Sequence, residues 1–188
     1  MLLALLALVP VSDAADAPAV GDPAPAFTAT ADDGSAWDSA DHFGHGWTVV
    51  YFYPADMTGG CTKQACSFRD DSTALQEAGI TVVGISGDSA ANHALFKRAH
   101  DLNFTLLADP GGEIADKFGV PNKKGVASIM RQIDGVDHEL VRTATIKRWT
   151  FLIDPDGEIA DIDRNVKPAD DSQSVLEKIA AMEPAAAN

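Results

Sequence analysis

Two runs of β-branched and aromatic residues, 47–53 (WTVVYFY) and 80–85 (ITVVGI), constrain the fold of this chain more than any other feature of its sequence. Both runs are short and almost wholly apolar, and Pro54 and Gly87 close them, which indicates buried strands. Segments with helical spacing of apolar residues come after them, at 61–78 and 89–102. Strands that alternate with helices predict an α/β layered fold with crossover connections.

The same alternation continues to the end of the chain. Further strand-like or helix-like stretches lie at 104–107, 112–118, 148–154, 158–163 and 171–182. The turn sequence Pro-Asp-Gly at 155–157 joins two of these stretches as a hairpin. We predict one domain over residues 21–183, preceded by a flexible lead-in at 15–20, a size at which a chain buries a substantial core.

Residues 120–147 fit this alternation less easily. Asp134-Gly135 is a dipeptide favoured in tight turns, so we predict an extra hairpin at about 126–146. Half of the chain's basic residues lie between Lys117 and Arg148. The hairpin is therefore either a solvated surface element or a positively charged rim beside an active site or a partner surface.

Composition narrows the possible functions. The 188 residues include 28 acidic and 14 basic side chains, which gives a formal net charge of −14. Binding to nucleic acid or to an anionic membrane needs a basic surface, so neither is expected. Hydrophobic residues make up 46% of the chain, which excludes wholesale disorder. The 2 cysteines are too few for a disulfide-rich scaffold or a four-cysteine zinc site.

The N-terminal segment resembles a secretory signal. Residues 1–10 (MLLALLALVP) form an apolar run that is too short to span a bilayer, and small residues follow it. We predict a signal peptide at 1–14, cleaved after Ala14, and export to the periplasm or the extracellular space. No Lys or Arg precedes Lys63, so the usual positive start of such a signal is absent. A cytoplasmic protein with a dispensable N-terminal tail is the alternative.

Cys61 stands where a thiol can be activated. A strand that ends at Pro54, a Gly-containing loop and a cysteine that opens a helix suggest a reactive thiolate, because helix N-terminal amides and a nearby cation favour the negative form. Thr58 either caps this helix or presents its hydroxyl to the sulfur. The plain alternative for Cys61 is a small buried apolar residue.

The spacing of Cys61 and Cys66 argues against a permanent disulfide. Residues five apart on a regular helix have Cα atoms roughly 8–9 Å apart, beyond the roughly 7 Å that a disulfide spans. The two sulfurs can therefore bond only if the first turns of the helix unwind. A strained bridge of this kind is readily reduced, which favours a thiol pair that cycles between oxidation states.

The segment around the cysteines resembles the peroxiredoxins, in particular the group called peroxiredoxin Q or bacterioferritin comigratory proteins. Residues 49–66 (VVYFYPADMTGGCTKQAC) contain the P-x-x-x-T-x-x-C signature at Pro54, Thr58 and Cys61. They also contain the C-x4-C spacing of that group, completed by Cys66. Several motifs in one segment make the resemblance specific.

The resemblance extends over roughly residues 20–182, with a gap at 120–147. Further motifs match in order at 21–27, 68–70, 84–89, 104–110 and 148–154. Gly59 stands where the family usually has Pro. This exchange loosens the loop before the first cysteine but removes no catalytic group.

Membership of this family implies a thioredoxin-like fold, with a central mixed β-sheet flanked by helices, and reduction of hydrogen peroxide and organic hydroperoxides without metal or other cofactor. Cys61 would be the nucleophile that becomes a sulfenic acid, and Cys66 would resolve it as an intramolecular disulfide. Arg148 would stabilise the thiolate and polarise the peroxide, Thr58 would hydrogen-bond the substrate oxygen, and Pro54 would shield the sulfur from water. A thioredoxin-type reductant would restore the thiols. A monomer is expected because both cysteines belong to one chain.

Three other functions remain open on the sequence alone. A thiol–disulfide exchange protein usually has C-x-x-C, which is absent, and a copper-binding metallochaperone of related fold has C-x3-C with a placed histidine. His42 and His45 are the candidate metal pair, although two histidines in a Gly-rich loop are more often solvated. His93 and His100 share a helix face, where pairing with solvent or an acidic group is expected. The third alternative is an interaction domain whose disulfide is incidental.

Overall fold

The computed structural model describes residues 17–183, so the predicted signal peptide lies outside the described part of the chain. Within that part, the strands form one sheet of seven and one hairpin of two. The strands are β1 Thr28–Ala31, β2 Ala36–Asp38, β3 Trp47–Phe52, β4 Ile80–Ser86, β5 Thr105–Ala108, β6 Asn122–Ile133, β7 Val136–Ile146, β8 Trp149–Ile153 and β9 Ile159–Asp163. The helices are α1 Gly59–Asp70, α2 Ser72–Glu77, α3 Ala90–His100, α4 Glu113–Lys117 and α5 Asp171–Met182. None of these helices is both long enough and apolar enough to cross a bilayer.

The two runs that dominate the sequence, β3 and β4, lie in the middle of the large sheet, whose order is β2-β1-β5-β4-β3-β8-β9. β3, β4 and β5 run parallel, and antiparallel strands extend the sheet on both sides. Every residue of β3 is buried. A strand covered on both faces has little room for polar residues, which explains why Thr48 is the only polar residue in its run. The sheet is mixed, as the sequence predicts.

Alternate residues of β3 contribute to two apolar cores, one on each face of the sheet. Val50 and Phe52 belong to the core that α4 and the end of β7 cover. Val49 and Tyr51 belong to the other core, which packs against α1, α2, α3 and α5. Cys61 lies in this second core. The elements that bury the sheet therefore also hold the thiol.

β6 and β7 form the predicted extra hairpin, which begins at Asn122 rather than at about 126. Its turn, Asp134-Gly135, has positive φ at both residues (52° and 79°), the conformation for which this dipeptide is favoured. One side of β7 is buried through Leu140, Ala144 and Ile146. The hairpin therefore packs on the domain and does not stand free in solvent.

The predicted helix at 61–78 is in fact two helices, α1 and α2, and it begins two residues earlier, at Gly59. The break falls at Asp71, whose carboxylate accepts hydrogen bonds from Ser172 and Gln173 of α5. A contact with a distant part of the chain fixes this break, and the local pattern of apolar residues does not reveal it. The patterns also fail to predict β1 and β2, whose sequences TATA and AWD are short and rich in alanine.

Candidate active site

Cys61 lies in the first turn of α1, immediately after the loop that leaves β3, and is 2% exposed. Cys66 lies on the same helix and is half-buried. Both are free thiols. Because α1 is continuous between them, a bond between the two sulfurs requires the helix to open.

Arg148 reaches the Cys61 sulfur from the neighbouring strand. It directly precedes β8, which runs antiparallel to β3 with Trp149 opposite Phe52. Its Nη2 donates a hydrogen bond to Cys61 Sγ at 3.1 Å. A guanidinium is always charged at physiological pH, so this contact places a positive charge directly at the sulfur. The structure thus brings two of the predicted site residues into direct contact.

Gln64, which is not among the site residues predicted from the sequence, joins Arg148 to the C-terminal helix. Its Oε1 accepts a hydrogen bond from Nη1 of Arg148, and its Nε2 donates to Asp171 Oδ2 at 2.6 Å. Thr150 of β8 donates to the same carboxylate at 2.9 Å. Gln64 and Asp171 are both buried. Burial raises the pKa of Asp171, although the hydrogen bonds from Gln64 and Thr150 lower it.

Thr58 occupies the N-cap position of α1, but its side chain does not cap the helix. The hydroxyl instead donates to the carbonyl of Ala55 at 3.0 Å. Because its hydrogen is used there, the lone pairs of Oγ1 remain to accept a hydrogen bond. Of the two roles that the sequence allows for Thr58, side-chain capping is therefore wrong for this conformation.

Pro54 begins the loop that carries Thr58 to the helix. The N–H of Tyr53 bonds to the carbonyl of Ile85 at 3.0 Å and extends the pairing of β3 with β4 by one residue. A proline has no N–H to continue this pairing, so the chain leaves the sheet at Pro54. The half-buried Pro54 and the hydroxyl of Thr58 thus lie on one short loop that leads directly to Cys61.

His42, one of the candidate metal pair, and His93 of α3 both pack against other side chains. His42 stacks on Trp37, with ring centroids 4.4 Å apart. His93 is fully buried and pairs with Asp56, an acidic group, which is one of the two kinds of partner expected for it from the sequence. Among residues 17–183, no group of three His, Cys, Asp or Glu side chains is arranged to hold a metal ion.

Much of the chain is similar in sequence to known proteins. Residues 20–162 match the model of the AhpC/TSA family. The chloroplastic peroxiredoxin Q of Oryza sativa subsp. japonica is 50% identical over 101 residues, which cover 54% of this chain and 46% of the rice protein. The chain spans about half the length of the curated plant relatives that it matches.

Solved structures extend the similarity to most of the chain. The peroxidoxin BcpB of Mycobacterium tuberculosis superposes with a TM-score of 0.73 and 29% identity, covering 89% of this chain and 99% of its own. The bacterioferritin comigratory protein of Xanthomonas campestris, whose structure was studied for its alkyl peroxide reduction activity, has a TM-score of 0.67 and 28% identity. That match covers 83% of this chain and 91% of the other.

Proposed function

We propose that this chain, which belongs to the AhpC/TSA family, is a thiol-dependent peroxidase that reduces hydrogen peroxide and organic hydroperoxides. Its family and its thioredoxin-like fold are as the sequence predicts. One observation above all supports the activity: the Arg148 guanidinium lies 3.1 Å from the buried sulfur of Cys61. A cation there stabilises the attacking thiolate and the negative charge that develops on the leaving oxygen.

In the proposed first step, the Cys61 thiolate attacks the terminal oxygen of the hydroperoxide. The S–O bond forms as the O–O bond breaks, and the sulfur loses two electrons to become a sulfenic acid. The leaving alkoxide or hydroxide takes up a proton and departs as alcohol or water. Thr58 accepts a hydrogen bond from the peroxide O–H, because its own hydroxyl hydrogen is committed to Ala55. Pro54 shields the sulfur from water, and neither metal nor other cofactor takes part.

In the second step, Cys66 attacks the sulfenic sulfur and releases water, which leaves an intramolecular disulfide. The helix between the two cysteines has to unwind for this step, since its geometry holds their Cα atoms too far apart. A thioredoxin-type dithiol protein then reduces the bridge by thiol–disulfide exchange. Because the attacking and the resolving cysteine belong to one chain, we propose that a monomer completes the cycle.

We also propose a cellular location for the enzyme. If residues 1–14 are a signal peptide, the enzyme acts in the periplasm or outside the cell, and its reductant must be present there as well. The test compares the N-terminus of the protein isolated from its native cells with the encoded one. A start at Ala15 supports export, whereas retention of residues 1–14 places the enzyme in the cytoplasm.

The activity is tested by stoichiometry. The reduced protein, freed of reductant, receives one equivalent of hydrogen peroxide while free thiols and intact mass are followed. We expect both thiols to disappear within seconds. A Cys66→Ser variant should accumulate a sulfenic acid on Cys61 that dimedone traps, and a Cys61→Ser variant should keep its remaining thiol.

Thiols that stay free would exclude the peroxidase. A copper titration would then test the metallochaperone reading, in which the same two cysteines bind Cu(I). Rapid loss of the Cys66 thiol in the Cys61→Ser variant would reverse the assigned roles of the two cysteines.

A further inference from the structure

A second buried polar cluster lies on the loop that precedes Cys61. The side chain of Asp56, two residues before Thr58, is fully buried. Its Oδ1 accepts the hydroxyl of Tyr53 at 2.7 Å, and its Oδ2 lies 2.8 Å from Nδ1 of His93 on α3. A buried carboxylate is costly unless it is paired and hydrogen-bonded. Asp56 meets both conditions.

Both ring nitrogens of His93 face hydrogen-bond acceptors. Its Nε2 lies 3.1 Å from the carbonyl oxygen of Leu107, which can only accept, so Nε2 carries a hydrogen. Its Nδ1 faces the Asp56 carboxylate, which also accepts. Burial lowers the pKa of His93, but the charge and hydrogen bond of Asp56, with the charge of Asp88, outweigh it and raise the pKa overall. The two acceptors and the raised pKa both favour the protonated form of His93.

Asp88 holds the backbone of the same loop. Its Oδ2 accepts the N–H of Asp56 at 3.0 Å and the hydroxyl of Ser86 at 2.9 Å. Its Oδ1 accepts Nδ2 of Asn92 at 3.1 Å, and that nitrogen also donates to the carbonyl of Val141 in the hairpin, at 2.9 Å. Both the backbone and the side chain of Asp56 are thus fixed from outside the loop.

The next residue of the loop, Met57, is held by the hairpin. Met57 has φ +57°, a left-handed conformation that is unfavourable for a residue other than glycine. Its carbonyl accepts Nε of Arg131, from β6 of the hairpin, at 2.8 Å. Surrounding structure must impose such a conformation. The loop therefore takes its shape from α3 and from the hairpin and not from its own preferences.

We propose that His93 is a positioning residue for the peroxidase reaction, which holds the Asp56 carboxylate and so keeps the loop from Pro54 to Thr58 in the shape that presents the Thr58 hydroxyl beside Cys61. This inference rests on the peroxidase function proposed above. His93 touches neither sulfur nor peroxide in this role. It acts through Asp56 on the geometry of the groups that do.

The test separates presentation of the peroxide from reactivity of the thiol. In a Cys66→Ser background, Cys61 is the only thiol, so its reaction with hydrogen peroxide can be compared with its alkylation by iodoacetamide at the same pH. Alkylation reports the thiolate and does not need the Thr58 hydroxyl. We expect His93→Phe to lower the peroxide rate constant at least about tenfold, as a small misplacement of a reacting group does, and to change alkylation less than about threefold.

Two further variants make the test specific. His93→Asn keeps an N–H for Asp56 and should recover most of the peroxide rate. Asp56→Asn preserves volume but removes the charge that His93 holds, and it tests the same pair if His93→Phe does not fold. His100→Asn is the matched control, because its half-buried ring on the same helix meets the edge of Phe96 and lies outside the cluster.

Equal loss of both rates in the His93 and Asp56 variants would overturn the inference, because the cluster would then support only the stability of the domain. An unchanged peroxide rate in His93→Phe would also overturn it. Failure of the proposed function looks different, since Cys61 of the parent protein would then be alkylated normally but would not react with peroxide.

Discussion

Gly87 lies directly against the backbone of Ala144, so closely that a β-carbon on residue 87 would overlap the carbonyl oxygen of Ala144. Gly87 follows the last residue of β4, and Ala144 is a fully buried residue of β7. The hairpin therefore packs against the end of β4 in the central sheet, beside the loop that carries Thr58. Both interpretations that the sequence allows for residues 120–147 describe part of the geometry, since most of the hairpin is exposed to solvent while its Arg131 bonds to Met57.

We expect Gly87→Ala to loosen the hairpin and to lower the free energy of unfolding by about 1–3 kcal/mol, because an overpacked contact with a backbone atom cannot be relieved by a rotamer change. Hydrogen exchange of amides 122–146 should accelerate. Gly111→Ala is the matched control, since its β-carbon would meet only the flexible side chain of Glu113. Equal effects of the two substitutions would show that the contact with Ala144 is not tight.

The network around Arg148 gives a prediction of coupling. We expect Arg148→Ala to slow the reaction of Cys61 with peroxide by about 10²–10³, the cost of removing one preorganised donor. Gln64→Ala should slow it by roughly tenfold, because Gln64 acts by orienting the guanidinium. The rate constant of the double variant with peroxide, measured by stopped flow, tests whether Gln64 acts through Arg148. If it does, the double variant is no slower than Arg148→Ala alone. Gln76→Ala, an exposed glutamine on α2, serves as the control.

The two buried tyrosines of the second core should respond oppositely to loss of their hydroxyls. Tyr53 donates to Asp56, whereas the Tyr51 hydroxyl has no hydrogen-bond partner among the described residues. An unpaired buried hydroxyl costs about 1–3 kcal/mol, and a hydrogen bond to a charged group contributes about 1.5–3 kcal/mol. We therefore expect Tyr51→Phe to stabilise the reduced protein and Tyr53→Phe to destabilise it, as measured by urea unfolding at pH 7. Destabilisation by both would mean that the Tyr51 hydroxyl has a partner.

Gly59 can be replaced by the proline that the family usually has. It is the first residue of α1, nothing lies within 4 Å of where its β-carbon would be, and Thr58 before it is extended (φ −98°, ψ 149°), as a residue before proline prefers. We expect Gly59→Pro to raise the free energy of unfolding by about 0.4–1 kcal/mol, because the unfolded chain loses freedom. The peroxide rate should not fall. Gly59→Ala is the paired control, and a large loss of stability in the proline variant alone would contradict the geometry.

The raised pKa of His93 predicts how stability depends on pH. Below about pH 6.5, the ordinary pKa of histidine, the residue is protonated in both the folded and the unfolded protein, so its pairing with Asp56 contributes fully. This contribution is lost as pH rises through the higher pKa of the folded protein. We expect the difference in unfolding free energy between the parent protein and His93→Asn to shrink as the pH rises above about 6.5. A constant difference would show that the His93 charge does not change with pH over this range.

Local pattern was enough to predict the middle of the fold. The buried strands β3 and β4, the helix α3 and the hairpin turn at Asp134-Gly135 each follow from a short run of residues. The break at Asp71 depends on α5, about a hundred residues later, so no local pattern contains it. The short strands β1 and β2 lie at one side of the sheet and bring little apolar patterning of their own.

In the candidate site, too, some residues could be predicted from local sequence and others depend on distant parts of the chain. The resemblance to peroxiredoxins supplied Cys61 and Arg148, and the structure brings them together. Gln64 has a local signal, because it falls on the buried face of α1 with Cys61 and Phe68, where a polar side chain needs a partner. Its partner Asp171 could not be found in this way, since 107 residues separate the two.

The single helix that carries both cysteines also carries Gln64, which links the reactive end of the molecule to its C-terminal helix. If α1 opens to join the two sulfurs, as proposed, Gln64 is withdrawn from between Arg148 and Asp171, and α5 loses one of its hydrogen bonds to the site. In the proposed cycle, oxidation of the thiols is therefore coupled to the packing of α5, a helix that carries neither cysteine.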